Sequence, residues 1–259
     1  MPEERSGDFI QSLERGLAVI DSFSKERPAQ TLSEVAELTG LTRATVRRML
    51  LTLAELGYVR RNGRLFSLTP KVLDLGYSFL SSFQVLELAQ GPMERLVEAV
   101  RESSSLSILD GSDIVYVARV PTTRIMTISL ALGSRLPAYP TSMGRVLMAS
   151  RPDSEIEDYI ARTTFEPLTR YTTTDKDEFR AILHKTRDQG YALVDQELEE
   201  GVRSLAAPIH NSRGEVLAAM NVSCHATRAD MTRLREEFLP QLLATAQEVS
   251  KQAGAHRVG

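Results

Sequence analysis

The residues from Thr31 to Phe66 read TLSEVAELTGLTRATVRRMLLTLAELGYVRRNGRLF and decide the fold of the N-terminal part of this chain. Thr31 and Glu34 have the spacing of a capping box, in which a hydroxyl and a carboxylate satisfy free N–H groups at a helix start. Apolar residues then follow at helical spacing as far as Gly40. Glycine adopts the left-handed conformation without steric cost and so ends helices. We therefore predict a helix between Thr31 and Gly40.

A second helix follows after a short turn. Thr42 is a favourable N-cap residue, and Val46 and Leu50 begin an apolar face with helical periodicity. Gly57 is expected to end this helix. The result is a helix, a tight turn and a helix.

The next segment predicts a hairpin. Two short strands, Tyr58–Arg61 and Arg64–Leu68, flank Asn62-Gly63, and this dipeptide is a strong signal for a type I′ turn. A hairpin directly after two such helices is typical of a winged helix-turn-helix. We therefore expect contact with duplex DNA, with the second helix in the major groove.

Charge is consistent with this interpretation. The segment from Thr42 to Arg64 contains six arginines and one glutamate, whereas the whole chain has a net charge of −3. A basic island on a mildly acidic protein suits contacts with phosphates. The alternative is an ordinary solvated helix face. The candidate DNA-binding residues are Thr42, Arg43, Thr45, Arg47, Arg48, Arg60, Arg61 and Arg64.

Composition excludes several classes of protein. The chain has 259 residues, of which 42% are hydrophobic and 25% charged, so we expect a globular protein of two modest domains. No apolar run reaches the roughly 18 residues of a membrane span, and the polar start MPEERSGDFIQ is not a signal peptide. The single cysteine, Cys224, excludes an internal disulfide and fits a reducing cytoplasm.

We expect three segments. A winged helix-turn-helix spans 1–69, completed by an amphipathic helix over Phe9–Phe23. Pro70 favours the start of a linker helix, and the linker spans 70–83. A third segment spans 84–254.

The third segment mixes strands and helices, which predicts an α+β sheet domain. The predicted strands are Leu106–Leu109, Ile114–Ala118, Ile125–Leu132, Tyr191–Val194, Leu205–His210 and Val216–Ser223. The predicted helices are Gln84–Glu102, Thr141–Ser150, Asp153–Arg162, Asp175–Gln189 and Asp230–Lys251.

The chain resembles the IclR family of bacterial transcriptional regulators from Phe9 to about Val249. The resemblance rests on SLERGLAVID and the helix-turn-helix in the N-terminal half, and on LPAYPTSMGRVLMA, DQELEEGVRSLAAPI and GEVLAAMNVS in the C-terminal half. It is strongest to the branch that controls protocatechuate, 4-hydroxybenzoate and β-ketoadipate catabolism. The resemblance implies a winged helix, a linker helix and a C-terminal GAF-like antiparallel-sheet effector domain. It also implies dimers or dimers of dimers that bind operator DNA.

The residues that line the family's effector pocket can be transferred to the matching positions of this chain. The resemblance thus implies a site for a small carboxylate such as protocatechuate, 4-hydroxybenzoate or β-ketoadipate. A helix start near Thr141 offers free N–H groups to an acid, and Asn221 and Ser223 share one face of a strand. The alternative is that these polar groups bond to backbone or buried water. The sequence departs from the family at Ser204, where cysteine is common, and at Val194, beside which an acid, Asp195, remains. The candidate effector residues are Ser142, Met143, Asp195, Ser204, Asn221 and Ser223.

Three arginines, Arg119, Arg124 and Arg135, are further candidates for binding an acid, although single arginines near strands are more often surface residues. The acidic cluster at Asp195, Glu197, Glu199 and Glu200 is interpreted as a solvated loop face, and the alternative is a metal site or a glycosidase carboxylate pair. We expect no metal, no cofactor and no catalytic residue, because no motif with the required spacing occurs.

Two alternatives remain open. One is an enzyme that acts on a small acid and carries the DNA-binding module as an appendage. The other is an architectural DNA-binding protein whose C-terminal half only oligomerises.

Overall fold

The computed structural model of the chain describes residues 7–122 and 130–255. The chain divides into two compact units, Met1–Ser82 and Phe83–Gly259. The division lies at the end of the predicted linker segment. The functional bounds of the three segments stay predictions.

The N-terminal unit is a winged helix-turn-helix, as predicted. Its sheet has the strand order β1-β3-β2. Its elements are α1 (Gln11–Asp21), β1 (Ala29–Thr31), α2 (Leu32–Thr39), α3 (Arg43–Glu55), β2 (Val59–Asn62), β3 (Leu65–Leu68) and α4 (Val72–Ser82).

Local chemistry sets the bounds of its helices. Thr31 N donates to Glu34 Oε2 at 2.6 Å and Thr31 Oγ1 accepts from Glu34 N at 3.4 Å, so the predicted capping box is present. Gly40 ends α2 at a φ of 66°. Helix α3 ends at Glu55, slightly before the predicted stop at Gly57.

The C-terminal unit is built on one antiparallel sheet with the order β6-β5-β4-β9-β8-β7. The predicted α+β class is therefore confirmed. Most of the strand predicted for Ile125–Leu132 lies outside the described residues, and its last three residues form no strand. The strands are β4 (Ser103–Asp110), β5 (Asp113–Val120), β6 (Arg135–Pro137), β7 (Ala192–Asp195), β8 (Val202–His210) and β9 (Val216–His225).

Helices cover both faces of this sheet. The C-terminal helical segment contains a π-helical turn at Leu234–Phe238, where one continuous helix was predicted. The helices are α5 (Val85–Val100), α6 (Ser142–Ala149), α7 (Asp153–Arg162), α8 (Lys176–Gln189), α9 (Met231–Arg233) and α10 (Leu239–Ala255). No helix in the described ranges has the length and apolar character needed to cross a bilayer.

Strand alternation divides the unit into two cores, because successive side chains of a strand point to opposite faces. Leu205 and Ala207 of β8 pack with residues of α5 and α10. Ala206 packs with residues of α6, α7 and α8. The second face holds the polar cavity described below.

Candidate functional site

The exposed surface of α3 is basic. Arg43, Arg47 and Arg48 are exposed, while Val46 and Leu50 on the other side of the helix are fully buried. Within the described part of the chain, none of these three arginines takes part in an ion pair. Their guanidinium groups are therefore available for an anionic partner such as a DNA backbone or a guanine edge.

The two candidate threonines, Thr42 and Thr45, form hydrogen bonds at the N-terminus of α3. Thr42 Oγ1 accepts from Thr45 N at 3.2 Å, which is the N-cap bond, and the two hydroxyl oxygens lie 2.9 Å apart. Both hydroxyl groups are thus hydrogen-bonded within the helix start.

The wing brings further arginines to the same side of the unit. Arg61 Nε donates to Gly63 O at 2.9 Å, and the guanidinium lies 5.9 Å from the Phe66 ring centroid. Arg60 Nε donates to Ser67 Oγ at 3.3 Å. Arg47, Arg61 and Arg64 line one cleft beside the start of α2. Helix α3 and the wing therefore present one continuous basic surface.

In the C-terminal unit, a small cavity of about 40 Å³ lies between the sheet and the start of α6. Its lining includes five of the six predicted effector residues, from α6, β8 and β9. These are Ser142, Met143, Ser204, Asn221 and Ser223. The remaining described lining residues are Tyr116, Arg119, Leu130, Pro140, Thr141, Val194, Leu198 and Val202.

Asp195 is not part of this lining, which corrects the sequence prediction. Val194 pairs with Ser204 and is 3% exposed, whereas Asp195 pairs with Arg203. Arg203 Nε donates to Asp195 Oδ1 at 2.6 Å. Since neighbouring strand residues alternate between faces, Val194 takes the cavity side and Asp195 the opposite side.

The polar side chains of the cavity are joined by hydrogen bonds. Asn221 Nδ2 donates to Ser223 Oγ at 2.9 Å and to Ser204 Oγ at 3.3 Å. Asn221 Oδ1 accepts from Ser105 N at 2.9 Å. Ser142 Oγ lies 2.6 Å from Ser204 Oγ. The side-chain oxygen of Asn221 is therefore bonded to the backbone, as the alternative interpretation expects. The Asn221 amide nitrogen and the serine hydroxyl groups form hydrogen bonds with one another.

A β-bulge places Arg119 in the cavity. Leu106 pairs with Ala118 but Ser107 pairs with Tyr116, so Val117 is an extra residue in β5. Tyr116 and Arg119 therefore line the same cavity despite their three-residue separation. Periodicity alone does not reveal a bulge, which is why Tyr116 was missed.

Burial affects both side chains that the bulge brings together. Arg119 is half-buried, and its Nη1 donates to Ser105 Oγ at 3.2 Å. Burial lowers the pKa of Arg119 and raises the pKa of Tyr116 to about 12. Tyr116 is thus neutral at physiological pH.

The other two candidate arginines do not reach this cavity in the described structure. Arg135 forms exposed ion pairs with Asp110 at 2.7 Å and Asp113 at 3.2 Å. Arg124 lies outside the described residues. Arg119 is therefore the candidate that remains.

Glu197 differs from the expected solvated loop residue. Arg145 Nη2 donates to Glu197 Oε2 at 2.6 Å, and the two side chains are 3% and 10% exposed. The sequence prediction failed because the arginine that neutralises this acid is distant in the chain. No three metal-ligating side chains come together within residues 7–122 and 130–255.

The backbone of Gly144 near the start of α6 packs closely against the backbone of Ala138. A Cβ atom at Gly144 would lie 2.1 Å from the Ala138 carbonyl oxygen, so only glycine fits there. Thr141 Oγ1 accepts from Gly144 N at 3.0 Å and caps the helix. These contacts hold Ser142 and Met143 at the cavity.

A basic winged helix-turn-helix followed by a domain with an internal polar cavity defines a class of protein, the ligand-responsive DNA-binding regulators. Comparison with known proteins agrees. Residues 77–251 match the family described as bacterial transcriptional regulator IclR C-terminal, and residues 12–63 match the IclR helix-turn-helix domain. The chain belongs to the IclR family of bacterial transcriptional regulators.

Individual relatives confirm the predicted branch. The Pca regulon regulatory protein of Pseudomonas putida is 42% identical over 246 residues, covering 95% of this chain and 84% of that protein. A solved structure described as a transcriptional regulator from Rhodococcus sp. RHA1 is 51% identical with a TM-score of 0.86, covering 95% of this chain and 98% of that one.

A third comparison concerns the C-terminal unit. The inducer-binding domain of PobR from Acinetobacter was solved as a double mutant in complex with 3-hydroxybenzoic acid. It is 31% identical with a TM-score of 0.61, covering 64% of this chain and 97% of that domain.

Proposed function

We propose that this regulator responds to a small carboxylate of aromatic catabolism, with 4-hydroxybenzoate, protocatechuate and β-ketoadipate as candidates. Arg119 carries the proposal. It is the only charged side chain among the described residues that line the cavity. Its hydrogen-bond partner there is the neutral hydroxyl of Ser105. A half-buried guanidinium without an acidic partner is stabilised by a bound carboxylate.

The start of α6 adds to this attraction. The first backbone N–H groups of a helix lack helical partners and carry partial positive charge. Ser142 and Met143 begin α6 and line the cavity. The carboxylate is thus expected between Arg119 and the helix start, with Asn221 and Ser223 bonded to a ring hydroxyl or a second acid.

Binding must enlarge the site. The cavity has a volume of about 40 Å³, whereas pockets for such ligands usually enclose roughly 300 Å³ or more. The polar groups that now bond to one another therefore separate and bond to the ligand instead. This exchange gives the ligand a means of altering the position of α6.

We propose that DNA is bound through α3 and the wing by a homodimer or a dimer of dimers, since symmetric half-sites usually require paired readers. The linker helix α4 offers an apolar contact surface, with Leu73 at 71%, Leu75 at 53% and Tyr77 at 70% exposure. A regulator of this kind works beside the chromosome, which supports a cytoplasmic location. A strictly monomeric protein at micromolar concentration that still protects a single half-site would contradict the dimer.

Calorimetry with the three candidate acids tests the effector proposal. Wild type should bind at least one of them, and Arg119→Gln should weaken binding by about tenfold or more, because a hydrogen-bonded charge pair is lost. Arg135→Gln is the matched control, since Arg135 pairs with surface acids. Equal affinity of wild type and Arg119→Gln would contradict the proposal, and chemical turnover of the bound acid would favour the enzyme alternative.

A further inference from the structure

A buried ion pair joins two walls of the cavity without lining it. Arg145 belongs to α6, the helix whose first residues, Ser142 and Met143, line the cavity. Glu197 directly precedes Leu198, which lines the cavity from another side. The bond of 2.6 Å between Arg145 Nη2 and Glu197 Oε2 therefore connects the helix start to the segment that carries Leu198.

Glu197 also fixes a third segment. Its Oε2 atom accepts from Thr173 N at 2.9 Å, and its carbonyl oxygen accepts from Thr172 Oγ1 at 2.6 Å. Arg145 Nε donates to Tyr139 O at 3.0 Å. The pair is thus the centre of a hydrogen-bonded junction between α6, the loop before α8 and the segment between β7 and β8.

The segment that carries Leu198 has an unusual backbone. Gln196 has a φ of 63° and Gly201 a φ of 86°, so both residues are left-handed. Gln196 Oε1 accepts from Gly201 N at 2.9 Å, which closes the segment on itself. The segment is thus a compact loop, and Glu197 provides its buried contact with α6.

Stability alone is a weak reason for this pair, because a buried ion pair often contributes no more than apolar residues of similar volume. We propose that Arg145 and Glu197 are positioning residues that hold Leu198 against the cavity and so limit the size of the carboxylate that the site accepts. This inference rests on the proposed function. Loss of the pair lets the Leu198 wall retreat, which admits larger acids.

Calorimetry with two acids of different size tests the inference in the full chain. The smaller probe is whichever of 4-hydroxybenzoate, protocatechuate and β-ketoadipate wild type binds most tightly, and the larger probe is 6-hydroxy-2-naphthoate, which has one more fused ring than 4-hydroxybenzoate. In Glu197→Gln the preference for the smaller acid should fall by about tenfold, the scale of discrimination that a hydrophobic wall provides. Thr172→Val removes one bond to Glu197 without burying a charge, and a smaller fall in the same ratio is expected.

Glu102→Gln is the matched control, because Glu102 is 3% exposed and accepts two bonds from Arg228 at 2.6 and 2.8 Å. The ratio of its affinities for the smaller and the larger acid should equal that of wild type. Thermal unfolding of each variant identifies those that are folded at the temperature of the titration.

The two proposals fail in distinguishable ways. Failure of wild type to bind any of the three candidate acids would overturn the proposed function together with this inference. Binding by wild type with an unchanged ratio in folded Glu197→Gln and Thr172→Val would overturn the inference alone, since a purely structural role weakens both acids equally. The same fall in the Glu102→Gln control would also overturn it.

Discussion

Ser142 Oγ and Ser204 Oγ lie 2.6 Å apart, so a hydrogen bond joins the first residue of α6 to strand β8 across the cavity. Ser204 Oγ also lies 3.3 Å from Asn221 Nδ2 and 3.3 Å from Ser223 Oγ. These groups are neutral, mutually bonded and within reach of one small molecule. A ligand that enters between α6 and the sheet must replace their bonds.

Ser142→Ala and Ser223→Ala should each weaken effector binding about tenfold, because each leaves a polar partner in the bound complex unsatisfied. Isothermal calorimetry measures the effect. Ser150→Ala is the control, since Ser150 lies at the other end of α6 and donates to Leu147 O at 2.7 Å. Unchanged affinity in both cavity variants would place the effector elsewhere.

Arginines of α3 and of the wing should differ in their effect on DNA binding. Arg47→Ala or Arg48→Ala should relax sequence preference by about tenfold or more, because a base-reading arginine contributes about 1–3 kcal/mol of discrimination. Arg61→Ala should weaken binding to all sequences alike and reduce its salt dependence, as expected for a phosphate contact.

Binding to randomised and selected duplexes at several salt concentrations separates the two effects. Arg95→Ala, which removes an exposed pair with Glu248 in the C-terminal unit, is the control. Full selectivity in both Arg47→Ala and Arg48→Ala would contradict the assignment of α3 as the recognition helix.

Gly144→Ala should destabilise the protein by about 1–3 kcal/mol, because the backbone must shift to relieve an overpacked contact. The contact is the 2.1 Å approach of the new Cβ atom to Ala138 O. Denaturant unfolding measures the change. Gly16→Ala in α1 is the opposite case: nothing lies within 4 Å of its Cβ position, and alanine should stabilise that helix by up to about 1 kcal/mol. Equal effects of the two substitutions would contradict the packing argument at α6.

Tyr116 should make stability fall at high pH. Burial raises the pKa of Tyr116 to about 12 in the folded chain from an ordinary value of 10.0, so the folded state retains a proton that the unfolded state releases. The raised pKa of Tyr116 has no effect on the free energy of unfolding well below pH 10. Between pH 10 and about 12 the free energy of unfolding falls by up to about 1.4 kcal/mol per pH unit. Denaturant unfolding between pH 8 and 11 should show a shallower decline for Tyr116→Phe. An identical decline would show that Tyr116 ionises normally.

The winged helix could be predicted from the sequence because its signals are local. The capping box at Thr31, the left-handed Gly40 and the Asn62-Gly63 turn each specify their own segment within a few residues. Strand β1 was missed because Ala29–Thr31 has only three residues and pairs with a distant strand.

The cavity could be predicted only in part, because its geometry depends on strand pairing. The family resemblance indicated Ser142, Asn221 and Ser223, but strand parity places Asp195 with Arg203 instead. Arg119 lines the cavity because of a β-bulge in β5. The hydrophobic periodicity of the sequence does not predict this bulge.

The burial of Glu197 depends on a partner 52 residues away in the chain. Such non-local contacts decide which polar residues face a ligand. A single sequence does not reveal them.

The most direct test of the central claim is in vitro transcription from a promoter that carries an operator selected with this protein, with and without 4-hydroxybenzoate, protocatechuate or β-ketoadipate. Wild type should change transcription when one of these acids is added. Arg119→Gln should bind the operator as tightly as wild type but should require about tenfold more acid for the same response. A response of Arg119→Gln at the wild-type acid concentration, or no response of wild type to any of the three, would contradict the account.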